Sequence, residues 1–391
     1  MVKPFRFAKL PLIIFGPGKR SELPDLIKGF GKKVILVTRG ASFTETEQGQ
    51  SLLDSLTRNG ITYHLIAVQN EPSVKMIDNA AAIIKEINAD VVVAAGGGSV
   101  LDAGKSVSAM ATAEGSVIEY LEGIGTKDHP GNKMPFIALP TTSGTGSEAT
   151  KNAVISNTGK EGFKRSLRHD NFVPDIALVD PELTLSCPAD VTAASGMDCF
   201  TQLAEAYLSV KSNEYTDALA LEGMKAVKRS LVAAVRKGNN LAARTDMSFA
   251  ALTSGICLAN AGLGAVHGFA SSIGGMYNIP HGVICGTLMR AANELNVKKI
   301  RKGYGSPEAL RKYAVLGKLF LEEKKSDEDS YIDGFLEYLR FLTDELNLPG
   351  LKRYGIPEQD LEKICSVTDL KNNPVKLETS DLMEILLERY Y

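Results

Sequence analysis

Asp198, His267 and His281 supply one carboxylate and two imidazoles, donor types suited to zinc or ferrous iron. Asp198 lies in TAASGMDCFTQLAEAYLS (192–209), and the two histidines lie in VHGFASSIGGMYNIPHG (266–282). One helical turn after Asp198 stands Gln202, whose amide oxygen is a neutral, harder donor than imidazole. A divalent metal on this set would make the protein one that does metal-assisted chemistry. Plainer readings compete. A histidine in an apolar helical stretch is often a satisfied core residue, and Ser195-Gly196-Met197-Asp198 fits a Ser-x-x-acid helix start. His281 follows Pro280, which suits a turn presenting its side chain as a helix begins.

Two glycine- and hydroxyl-rich turns stand apart from these donors. Gly96-Gly97-Gly98-Ser99 follows the strand-like run VVVAA and opens a helix-like segment. Glycines there let backbone approach a phosphate, and a helix start offers free N–H groups with the positive end of a dipole. The turn departs from GxGxxG, because Leu101 stands at the third glycine position, and a tight turn without a ligand is the alternative. The second turn, Leu139-Pro140-Thr141-Thr142-Ser143-Gly144-Thr145-Gly146-Ser147-Glu148, suits phosphate or ribose binding equally with capping of its own backbone.

The elements that must position these groups divide the chain. Strand signals at 32–38, 62–68 and 89–98, within 135–148 where a strand runs into the second turn, and at 174–183 alternate with helical patterns, including 73–87 capped by Ser73. That alternation predicts an α/β domain with a doubly wound parallel sheet over 1–183. From 184 to 391 the patterns are helical, which predicts an all-helical metal-binding domain and a ligand cleft between the two. The 391 residues are enough for two cores. A net charge of −2 gives no basic footprint for nucleic acid. No apolar run approaches the roughly 20 residues of a membrane span. MVKPFRFAKLPLIIF lacks a small-residue cleavage site, so no signal peptide is expected. Five scattered cysteines without a CxxC read as free, mostly buried thiols in a reducing cytoplasm.

Taken together, FGPG (15–18), GGGSVLD (96–102), ALPTTSGTGSEAT (138–150), PDIALVDPELT (174–184), ASGMDCFTQLAEAYLS (194–209) and HGFASSIGGMYNIPHG (267–282) resemble the iron-containing (group III) alcohol dehydrogenases. That superfamily also holds glycerol dehydrogenase and dehydroquinate synthase. The resemblance spans nearly the whole chain. It implies a dinucleotide cofactor, NADP or NAD, a divalent metal, Fe2+ or Zn2+, and hydride transfer between a small alcohol and its aldehyde. It also implies a homo-oligomer, dimeric or larger. On that footing Gly97, Gly98 and Ser99 hold the pyrophosphate and Asp102 lies near the nicotinamide end. Thr141, Thr142 and Thr145 line the phosphates and ribose, and Asn152 and Lys164 approach the cofactor.

Three positions depart from the family pattern. The usual metal set is Asp, His four residues on, and two later histidines; here Gln202 replaces the second member. Zinc-using relatives manage on one carboxylate and two histidines, so Asp198, His267 and His281 suffice, with Gln202 beside them. Position 271, often a histidine near nicotinamide and substrate, is Ser271, so its hydroxyl or a water must move the proton. After VILVT many NAD-using members carry an aspartate; Arg39 stands here and suits bidentate pairing with the 2′-phosphate of NADP. These departures keep two rivals open: a non-redox lyase or synthase on the same fold, and a dinucleotide-binding protein impaired in catalysis.

Overall fold

A computed structural model describes residue 2, residues 4–157 and residues 162–391. Six strands form one wholly parallel sheet: β1 (Leu12–Phe15), β2 (Lys33–Thr38), β3 (Thr62–Ala67), β4 (Val91–Gly96), β5 (Phe136–Pro140) and β8 (Ile176–Val179), in the order β1-β8-β5-β4-β2-β3. Two further strands, β6 (Asn152–Asn157) and β7 (Phe163–Arg168), pair antiparallel as a separate hairpin. The sequence pattern anticipates the sheet except for β1, and it misses the hairpin.

The strands are apolar on both faces because both faces are covered. Val34 and Leu36 pack with Leu52 and Leu56 on one side. Ile35 and Val37 pack with Ile77, Ile84 and Val107 on the other. Ser73 caps the helix Val74–Ile87 by accepting from the Met76 N–H, as its sequence suggests.

β3 and β4 lie on opposite sides of β2, so the order in which strands are added reverses between β2 and β4. Ligands of open α/β sheets sit outside the carboxyl ends of strands at such a point. β2 ends at Thr38, paired with Ala95 of β4, and Gly96 pairs with Pro140 of β5. Arg39, the triple-glycine turn and the hydroxyl turn therefore emerge from three adjacent strands at one end of the sheet.

Beyond β8 the chain is helical, with its own large core around Phe200, Phe269, Leu288 and Phe335. Three helices matter for the site: Ala189–Leu208, Ala265–Met276 and His281–Arg301. No single helix among the described residues is long and apolar enough to cross a membrane. All five cysteines are free, four of them buried and Cys187 half-buried.

Candidate active site

The two turns are built against each other. The Thr141 N–H donates to the Gly96 carbonyl at 3.0 Å. A Cβ at Gly97 would sit 3.1 Å from Thr142 Oγ1, and one at Gly98 would come within 2.6 Å of Thr145 Cγ2. Glycine is demanded here by the approach of the second turn. Gly98 opens the helix Gly98–Met110, so Gly97, Gly98 and Ser99 present a helix start toward the switch point. Arg39 is exposed beside them.

Asp102, Asn152 and Lys164 have defined internal partners. Asp102 accepts from the Ser147 hydroxyl and from the Val154 N–H. The Asn152 carbonyl accepts from Lys105, a fully buried ammonium that also donates to the Ser147 carbonyl and hydroxyl and to Thr150. Burial lowers the Lys105 pKa to about 8 against the pull of Asp102 and Glu148. Lys164 stands 3.5 Å from Glu71, whose other oxygen accepts from Ser99. A line of polar contacts thus runs from the glycine turn to β7.

The carboxylate and the imidazoles converge. Asp198 lies in the middle of the helix Ala189–Leu208, which begins six residues before Ser195. The capping alternative for Asp198 is thereby removed. Asp198 Oδ1 is 3.2 Å from His267 Nε2 and 3.7 Å from His281 Nε2. A tetrahedral divalent ion with bonds of about 2.1 Å spaces its oxygen and nitrogen donors about 3.4 Å apart, so these residues fit one.

Glu205 takes the other edge of His267: its Oε2 lies 2.6 Å from Nδ1, while its Oε1 accepts from the Val266 N–H. The Nδ1 proton is then fixed toward Glu205, and Nε2 is the ring atom directed at Asp198. Burial disfavours the His267 cation, but Cys285, Glu205 and Asp198 together raise its pKa well above the ordinary value. Burial, helped by Lys164, lowers His281 to about 3 against the attraction of Asp198, leaving a neutral imidazole. Its buried Nδ1 has no hydrogen-bond partner among the described residues.

Gln202 faces the hydroxyl turn. Its Nε2 donates to the Gly144 carbonyl at 3.2 Å and to Ser254 Oγ at 3.1 Å, which leaves only its carbonyl oxygen for a metal. Ser271 is exposed and donates back to the His267 carbonyl at 2.9 Å.

Known proteins agree with this architecture. The family description "Iron-containing alcohol dehydrogenase" matches residues 11–181, and "Fe-containing alcohol dehydrogenase family, C-terminal" matches residues 192–390. The chain belongs to the iron-containing alcohol dehydrogenase family. It is 33% identical to alcohol dehydrogenase 4 of Saccharomyces cerevisiae, over 97% of each chain. It is 31% identical to the NAD-dependent methanol dehydrogenase of Bacillus methanolicus, over 70% of this chain and 71% of that one. Among solved structures, the alcohol dehydrogenase from Oenococcus oeni superposes with a TM-score of 0.87 at 30% identity, covering 99% of this chain and all of the other. Membership in this iron-containing alcohol dehydrogenase family implies a nicotinamide dinucleotide and a divalent metal as cofactors.

Within this family frame, sequence reasoning overlooked three neighbours of the centre. Glu205 follows Asp198 by seven residues, two turns along one helix face. Cys285 follows His281 by four, and its Sγ lies 3.7 Å from His267 Nε2. Both spacings were visible in the sequence, but their meaning depends on which helix lies opposite. Lys371 gave no signal: its Nζ donates to the His267 carbonyl at 3.0 Å and lies 3.5 Å from Ser271 Oγ. Its backbone has φ 53°, a left-handed conformation uncommon for a side chain of that length.

Proposed function

We propose that the chain catalyses reversible hydride transfer between a primary or small secondary alcohol and C4 of a nicotinamide dinucleotide. The observation that carries this reading is the convergence of Asp198, His267 and His281, one helical turn from the residue that grips the second nucleotide turn. A divalent metal held there, Fe2+ or Zn2+, supplies Lewis-acid polarisation of the alcohol or carbonyl oxygen.

The chain's own residues supply position and proton control. Gly97, Gly98 and Ser99 with Thr141, Thr142 and Thr145 seat the phosphates and ribose; Asp102 supports them from the helix Gly98–Met110, and Asn152 and Lys164 from β6 and β7. Glu205 holds His267 in the tautomer that presents Nε2. The exposed Ser271 hydroxyl, beside the Lys371 ammonium, passes the proton between substrate and solvent. Arg39 at the carboxyl end of β2 pairs with the 2′-phosphate, favouring NADP over NAD. The nucleotide-binding part comprises residues 1–183 and the metal-binding part residues 184–391. Small alcohols and aldehydes are the substrates, and the working form is a cytoplasmic homo-oligomer.

The test is metal analysis of protein purified without chelator, joined to an aldehyde panel with NADPH and NADH. Stoichiometric metal with aldehyde-dependent oxidation of the reduced cofactor is expected. Dinucleotide binding without metal or turnover would favour a non-catalytic binding protein. Substrate conversion with no net cofactor oxidation would favour a lyase or synthase.

A further inference from the structure

We infer that Cys285 is the fourth protein donor to the metal, in the role that Gln202 occupies by sequence position. This inference rests on the metal-dependent reading above and specifies its donor set. The ligand atoms of Asp198, His267, His281 and Cys285 all lie within 4.8 Å of one another. A tetrahedral ion with a metal–sulfur bond of about 2.3 Å and a metal–nitrogen bond of about 2.1 Å places those donors about 3.6 Å apart. Cys285 Sγ is 3.7 Å from His267 Nε2.

The packing of two helices brings Cys285 there. It stands one turn after His281 on the helix His281–Arg301, so both side chains project from one face. Gly282 and Gly286 flank them. A Cβ at Gly282 would lie 2.3 Å from the Ala194 carbonyl, and one at Gly286 would lie 2.9 Å from Met197 Cβ. These two glycines let the helix press directly against Ala189–Leu208 in the turn that leads into Asp198. The thiol is delivered into the cluster as a result, fully buried.

Gln202 is drawn the other way, its amide nitrogen committed to Gly144 and Ser254. Charge favours the thiolate as well. Asp198 and a Cys285 thiolate balance a dication, whereas Gln202 brings no charge. A thiolate also softens the donor set and shifts preference toward zinc over ferrous iron. Some catalytic zinc sites expand to five-coordination, so a fourth protein donor is compatible with catalysis.

The test uses cobalt(II) loaded into the apoprotein, read by absorption. Wild type should show a near-ultraviolet sulfur-to-cobalt charge-transfer band with one cobalt per chain. Cys285→Ser should lose that band, keep the visible ligand-field bands, and bind zinc at least tenfold more weakly. Cys199→Ala, at another buried thiol, should retain the band. Gln202→Leu should also retain both the band and the metal. One cobalt per wild-type chain without a charge-transfer band, or a band that survives in Cys285→Ser, overturns the thiolate assignment and leaves the metal-dependent function standing. Failure of wild type to bind cobalt or zinc at all overturns that function and the thiolate with it.

Discussion

Glu205 and Asp198 grip opposite edges of one imidazole, with Glu205 Oε2 at 2.6 Å from His267 Nδ1 and Asp198 Oδ1 at 3.2 Å from Nε2. Both carboxylates come from the same helix, two turns apart, and all three groups are buried. The arrangement orients a ligand before any metal arrives. Glu205→Gln preserves an acceptor but removes the charge that raises the basicity of the ring. Metal affinity should fall about 10- to 100-fold, measured by competition with a chromogenic chelator. An unaltered affinity would show that Glu205 only fills space.

On the proposed function, Arg39 sets the choice of dinucleotide. In Arg39→Asp the carboxylate repels a 2′-phosphate and accepts from a 2′-hydroxyl. The ratio of kcat/KM for NADPH over NADH should drop by at least tenfold, most of it through the KM for NADPH. Equal selectivity in the two proteins would remove Arg39 from cofactor recognition.

Gly98 is tied to Thr145 by contact. In Gly98→Ala the new methyl meets Thr145 Cγ2 at 2.6 Å, and overpacking of that kind costs about 1–3 kcal/mol. Displacement of the hydroxyl turn should raise the cofactor KM while metal content stays the same. Adding Thr145→Ser removes the offending methyl group and should recover part of the loss. Absence of any recovery would mean that the defect lies in the helix start itself.

Glu148 makes stability depend on pH. Burial raises its carboxyl from 4.5 to about 7, against the pull of Lys105. Between those values the folded chain keeps a proton that the unfolded chain has released. Stability therefore falls as pH rises from 4.5 to 7, by roughly 3 kcal/mol from this group alone. Glu148→Gln removes that contribution, so urea unfolding should show the variant gaining on wild type across the window. Parallel curves for the two proteins would reject the assignment.

Much of this architecture is legible in the sequence because buried parallel strands are continuous apolar runs. VILVT and VVVAA can hardly be anything else once helical patterns flank them. β1 is only four residues long, and β7, FKRSLR, carries three cations on a hairpin outside the main sheet. Neither has the apolar signature on which such reading relies. At the site, Asp198, His267 and His281 stand out by residue type. Glu205, Cys285 and Lys371 do not, since their significance arises from helix packing at Gly282 and Gly286 and from a loop more than a hundred residues after Lys371's nearest partners began. Ser195 misleads for a related reason: it resembles a cap, yet its hydroxyl bonds back to the Val191 carbonyl inside a helix already under way.

Asp198 and Gln202 are separated by a single turn of the same buried helix, one facing the metal donors and the other holding the Gly144 carbonyl. The interval between the hydroxyl turn and the metal-ligating side chains is consequently gauged by helix pitch, about 5.4 Å. A ruler of that stiffness leaves substrate choice to the walls around it. In this chain the walls can be reshaped by substitution while the spacing of the turn from the metal donors stays constant.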